Sequence, residues 1–210
     1  MQPKRVLAHL YKLALFVFLG LLPLAAETNP ATPDSPGYTA MTAADRLEWF
    51  SKSTMGPQST AAGVFSAAIG TAMNTPQEYG PHWKGYGSRY AMRLSGISTS
   101  NAMEAGIGSL WGEDPRYYKT KGMTVKQRIG NVMKTTFTAP MPDGHYAPAY
   151  ARFIAIPGSN LLANTWRPDS EADAQHAAMR TLYGFLGHMG SNAFQEFWPD
   201  AQKLIFHHKK

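Results

Sequence analysis

Between Ser53 and Gln77 the chain carries no charged side chain and is dense in small ones: Ala61, Ala62, Gly63, Ser66, Ala67, Ala68, Gly70 and Ala72. Ala102, Ala105, Gly106 and Gly108 continue the habit further along. Each glycine costs about 1 kcal/mol of helix propensity relative to alanine, so helices built this way must recover the loss through packing. Close approach of one helix backbone to another is the gain. No alternation of β-branched and polar residues bounded by hairpin turns is found. The expected fold is therefore mainly α: a single helical domain of tightly packed Gly/Ala-rich helices with long connecting loops and little or no β. The same small-residue habit serves helix packing inside bilayers, which keeps an integral helical membrane protein as an alternative. Against it, the 53–77 segment holds Ser, Thr, Asn and Gln, whereas a span needs roughly 20 predominantly apolar residues.

The N-terminus speaks to compartment. Lys4, Arg5 and Lys12 precede the apolar run Leu13-Ala-Leu-Phe-Val-Phe-Leu-Gly-Leu-Leu22 and then Pro23-Leu24-Ala25-Ala26. This pattern is that of a secretory signal peptide, cleaved before Glu27, over residues 1–26. Residues 27–41 carry three prolines and few apolar side chains, and are expected to be a disordered leader. A helical domain is expected over 42–206 and a basic tail, His207-His208-Lys209-Lys210, over 207–210. The expected destination is the periplasm or cell envelope, with possible partners a membrane surface or another envelope protein. The chain contains no cysteine, so disulfides and thiolate chemistry contribute nothing. The formal charge of +6 falls to +3 once Lys4, Arg5 and Lys12 leave, and the remaining cations are scattered, which is no nucleic-acid footprint.

Helix starts are legible in three places. Thr42 offers an N-cap with Asp45 in the first turn, opening a helix over Asp45 to Lys52. Thr124-Val-Lys-Gln127 is a capping box for a helix with Val125, Ile129, Val132, Met133 and Thr136 on one face. Ser170-Glu-Ala-Asp173 is expected to open a longer helix, with Leu182, Phe185, Leu186, Met189, Ala193 and Phe197 at helical spacing. An internal echo runs through this last region. Gly158-Ser-Asn and Gly190-Ser-Asn, 32 residues apart, each place a tryptophan eight residues on, Trp166 and Trp198, followed by Pro and Asp. A looser copy ends at Trp111, and Arg93, Arg152 and Arg180 lie upstream of the three. Each unit is expected to be a helix bent at Gly-Ser-Asn, stapled by its tryptophan and stopped by, or restarted at, the proline.

Candidate chemistry centres on carboxylates. In Trp111-Gly-Glu-Asp-Pro-Arg-Tyr-Tyr118, Gly112 can close a helix, Asp114 can cap a turn begun by Pro115, and Arg116 can pair with Glu113 or Asp114. The catalytic alternative makes Glu113 and Asp114 an acid/base pair facing a cleft, with Tyr117 and Tyr118 stacking on a sugar. Glu104 and Glu196 each follow Ser-Asn in an otherwise apolar helix, and a buried carboxylate must be paired or protonated. Arg93, Arg152 and Arg180 are the expected partners, in a network that fixes helix register. The alternative is a glycosidase-like or metal-binding carboxylate. Glu171, Asp173 and His176 lack carboxylate-bridged metal spacing, while His82, His145 and His188 stand alone. No hydrolase elbow, zinc-protease, phosphate-loop or dinucleotide motif occurs, so no cofactor or metal is implied.

Trp83-Lys-Gly-Tyr-Gly-Ser-Arg-Tyr90, Glu113-Asp-Pro-Arg-Tyr-Tyr118 and Phe194-Gln-Glu-Phe-Trp-Pro-Asp200 together resemble a family of exported bacterial proteins. That family carries an Asp-Pro-Arg-Tyr-aromatic block and a C-terminal Glu-Phe-Trp-Pro-Asp motif. The resemblance extends from Arg46 onward and implies a helical exported domain of a Gram-negative bacterium. It brings no activity, so no catalytic residue is carried over. The expected function is a non-enzymatic structural or interaction protein of the envelope. The alternative is a cell-wall or glycan-directed hydrolase, which needs two carboxyls about 5 to 10 Å apart in an open cleft.

Overall fold

The computed structural model describes residues 38–119 and 124–206, with no account of the side chains of 204–206. The expected signal peptide, most of the expected leader and the basic tail lie outside the described residues. Six α-helices are described: α1 (Ala43–Met55), α2 (Pro57–Ala72), α3 (Trp83–Ser109), α4 (Val125–Phe137), α5 (Tyr150–Ala163) and α6 (Ala174–Phe206). Strands β1 (Thr138–Pro140) and β2 (Tyr146–Pro148) form a short antiparallel hairpin pairing Thr138 with Pro148. The fold is mainly α, and α3 is its centre, packed against α1, α2 and α5. Helix α6 lies against α5, and α4 against α6.

Two helix starts follow from local sequence. Asp45 N donates to Thr42 Oγ1 at 3.2 Å while Thr42 N donates to Asp45 Oδ2 at 2.9 Å, a complete capping box. Thr124 and Gln127 repeat it at α4. The third start differs from expectation. Asp173, not Ser170, caps α6, accepting His176 N at 2.8 Å, while Asp169–Glu171 forms a 3-10 turn ahead of it. Both Gly-Ser-Asn copies sit inside continuous helices, the first directly after Pro157, and α6 is not stopped at Pro199 but runs on to Phe206. Tyr38 and Thr39, expected in the leader, make contacts with the helical domain. Tyr38 meets the Tyr118 ring edge-on at 5.7 Å, and Thr39 O accepts Arg116 Nη2 at 2.8 Å.

Small residues stand where helices touch. Along α5, Ala151, Ala155, Ser159 and Ala163 are buried at four-residue intervals, and along α2 so are Ser59, Gly63 and Ala67. Such rows are the i±4 ridges along which helices interlock. Their smallness is required: a Cβ on Gly63 would lie 2.8 Å from the Tyr90 ring, and one on Gly184 would lie 2.7 Å from Ile156 Cγ2.

Burial is inverted with respect to a water-filled surround. Among the described residues the buried apolar side chains are alanines, with Val132, Ile156, Pro115 and Pro140 the larger exceptions, and the largest fully buried side chains are Arg152, Glu113, Thr136 and Asp114. Large apolar groups face outward instead: Phe65 is 70 % exposed, Leu161 58 % and Ile129 52 %. Soluble domains place large apolar side chains inside and leave charged ones out. The α4 face expected from periodicity is split accordingly. Val132 and Thr136 turn inward, whereas Val125, Ile129 and Met133 of the same face are exposed.

Candidate functional site

Glu104 of α3 and Arg152 of α5 form a buried ion pair, 3 % and 2 % exposed, with Arg152 Nε donating to Glu104 Oε1 at 2.9 Å. Arg152 Nη1 also donates to Thr135 O and Thr136 O, both at 2.9 Å. Those carbonyls end α4 and have no amide of their own helix to accept from. One guanidinium therefore ties three helices together. Burial pushes the Glu104 carboxyl up, and Arg152 offsets this only in part. His188 of α6 faces the same charge and is pushed well below its ordinary value, first by burial and then by Arg152, so it is neutral at pH 7.

The same device recurs at other helix ends. Arg89 donates to Thr75 O, Pro76 O and Gly80 O at 2.7–2.8 Å, closing the chain that leaves α2. Arg46 takes Glu113 O at 2.9 Å beyond α3, and Arg180 takes Asn160 O at 3.1 Å and Asn164 Oδ1 at the end of α5. Cations at helix C-termini also complement the helix dipole. Arg93 reaches Ser59 O at 3.1 Å. Of the three arginines expected to meet Glu104 and Glu196, only Arg152 does so among the described residues.

Glu196 is held by Arg128, which the sequence reading passed over. Arg128 Nε donates to Glu196 Oε1 at 2.6 Å and its Nη2 to Glu196 O at 2.7 Å, and the guanidinium also pairs with Asp200 at 2.6 Å. Tyr117 Oη donates to Glu196 Oε2 at 2.6 Å. This α4 cation thus braces α6 around Pro199, whose missing amide leaves the Gln195 carbonyl without its helical partner.

The loop after α3 is equally committed. Gly112 has φ +81°, and Glu113 N reaches back to Gly108 O at 2.9 Å, the long bond of a Schellman turn. The Glu113 carboxylate then serves a different helix. Its Oε2 accepts Ala151 N at 3.0 Å and Trp111 Nε1 at 2.9 Å, capping α5 where Ala149 offers no side-chain oxygen. Asp114, fully buried behind Pro115, accepts Arg116 N and Nε and the Tyr118 hydroxyl, all within 3.0 Å. Tyr117 and Tyr118 are therefore tied by their hydroxyls to carboxylates, and burial first, then those carboxylates, raises both phenols. Trp166 lies just beyond α5, and Trp198 stacks on Phe194 at 4.9 Å.

A cleft of about 1390 Å³ opens between α1, α2, α3, α5 and α6, and Glu104 lines it with Asn101, His188 and Asn192, as do Asp45, Glu48 and Glu171. The carboxyls expected to complete a glycosidase pair are engaged elsewhere. Glu113 is turned to the α5 terminus, Asp114 to Arg116, and Glu196 to Arg128. At the start of α6, Glu171 pairs with Arg167 and His176 with Asp173. Among the described residues no three His, Asp or Glu side chains gather as a metal site. No family model, no curated protein and no solved structure matches the chain.

Proposed function

We propose that this chain is a non-enzymatic structural or interaction protein of the bacterial cell envelope, whose apolar exterior is covered by a membrane surface or by another envelope protein. The observation that carries this reading is the inverted burial: alanine, arginine and carboxylate inside, and leucine, isoleucine and phenylalanine outside. Water disfavours each exposed large apolar side chain by roughly 1.5–3 kcal/mol relative to burial, so a body with so many of them is stabilised by a second surface. The carboxylates that a hydrolase would use are spent on helix caps and ion pairs. No helix among the described residues is long and apolar enough to cross a membrane. The expected signal peptide and the resemblance to exported proteins support an envelope compartment.

The test is fractionation of cells expressing the chain with its own N-terminus. The expected result is recovery in the membrane pellet and release by an alkaline wash. Recovery as a monodisperse soluble monomer, with no detergent and no partner, overturns the proposal.

A further inference from the structure

The exposed apolar groups are unevenly accompanied by charge, and α4 is where charge and apolarity coincide. Val125, Ile129, Met133 and Phe137 follow one another at four-residue steps, and all four are exposed. The same helix carries Lys126, Arg128 and Lys134 and no acid. Arg128 is spent on Glu196 and Asp200. Lys126 and Lys134 remain on the surface, Lys134 over the Tyr146 ring at 4.2 Å from its centroid.

The stripe does not end with α4. The Phe137 ring stacks on Phe185 of α6 at 6.0 Å and on Phe153 of α5 at 6.4 Å, and Phe153 lies 5.6 Å from Phe185. On either side of this trio, Tyr150 of α5 and Leu182 and Leu186 of α6 are half exposed. Three helices thus present one aromatic and aliphatic platform bordered by lysines.

We infer that α4 and the phenylalanine platform form a docking surface for an anionic phospholipid bilayer, a site that deepens, and rests on, the envelope reading above. An interfacial helix needs an apolar face to enter the acyl boundary and cations to meet the headgroups, and α4 supplies both. A second copy is the poorer occupant. A two-fold contact sets each patch against itself, which brings Lys126 and Lys134 toward their own counterparts with no acid on α4 to answer them. The uncharged stripe of α2, formed by Phe65, Ile69 and Met73, lacks the electrostatic half of this pattern and serves as the internal control.

The experiment is flotation of the signal-processed chain with vesicles of phosphatidylcholine alone or mixed with phosphatidylglycerol. Variants are Lys126→Glu/Lys134→Glu and Ile129→Ser/Met133→Ser on α4, and Phe65→Ser/Ile69→Ser on α2. All substituted side chains are exposed, and circular dichroism confirms that each variant keeps its helix content. The expected result is binding to the anionic vesicles that drops about tenfold or more for each α4 pair, changes little for the α2 pair, and weakens in high salt. Equal binding to neutral vesicles, or loss only with the α2 pair, overturns this site and leaves the envelope reading standing. So does dimerisation without lipid that Ile129→Ser/Met133→Ser abolishes, which names a second copy as the occupant. A monodisperse monomer that floats with neither vesicle overturns both.

Discussion

Arg152 and Arg128 each hold a glutamate from another helix, yet the two pairs stand in different surroundings. The Arg152–Glu104 pair is sealed between α3, α4 and α5, and its remaining donors meet backbone carbonyls. Arg128 is partly open, lies over the Phe197 ring at 4.4 Å, and bridges two carboxylates one turn apart on α6. In the first pair burial dominates, and Glu104 is pushed up. In the second, hydrogen bonding dominates, and Arg128 holds Asp200 below the usual carboxylate range. A buried pair acts as a lock because neither partner can be left alone, whereas a rim pair is a brace that water can replace.

The sharpest way to break the contrast is Arg152→Met. It strands Glu104 and leaves Thr135 O and Thr136 O without a donor, and it is expected to lower the unfolding free energy by about 3–5 kcal/mol in denaturant titration. Adding Glu104→Leu removes the stranded charge and is expected to restore part of that loss, while the orphaned carbonyls keep about 1–3 kcal/mol of it. Complete recovery would make the carbonyl contacts irrelevant and the lock purely ionic. Next in size is Glu113→Ala, which leaves the buried Ala151 amide at the start of α5 uncapped and frees Trp111 Nε1. A loss of about 1–3 kcal/mol is expected, and no loss would show that water takes over the cap.

How much of this was readable beforehand depends on how local the cause is. The Thr42 and Thr124 boxes are complete within four residues, so sequence alone places them. The Ser170 box failed because Asp173 offers a carboxylate nearer the helix, and the nearer cap took the His176 amide. Glu104 and Glu196 announce their need for a cation by their apolar neighbours, but which arginine answers is a fact of tertiary packing. Arg128 was missed because α4 was read through its apolar residues alone. Periodicity identifies the face formed by Ile129 and Met133, but it cannot say whether protein lies against it. Pro199 ends a helix when nothing holds the broken turn, and here Arg128 holds it from outside.

The two pairs also predict opposite responses to pH, which sharpens the comparison without deleting either arginine. Glu104 binds its proton more tightly folded than unfolded. Its contribution is therefore fully present below the unfolded value of about 4.3 and lost as pH rises through the raised folded value. Because glutamine copies the protonated form, the stability of the native chain relative to Glu104→Gln is expected to fall from pH 4 upward. A gap that widens toward neutral pH would mean that Arg152 outweighs burial, and the two pairs would then be alike.

The smallest effect is expected at the rim. Asp200 has a lowered folded value, so its contribution is present above the unfolded value of about 3.9 and lost as pH falls through the folded one. Asp200→Asn should therefore change the thermal midpoint little at pH 7, flatten the acid side of the stability profile, and lose even that effect in high salt. Arg128 keeps Glu196, so the bracing of α6 around Pro199 survives the change. If Asp200→Asn instead destabilised the chain as severely as Arg152→Met and did so regardless of salt, Arg128 would be a second lock. The α4–α6 contact that supports the phenylalanine platform would then depend on both carboxylates together.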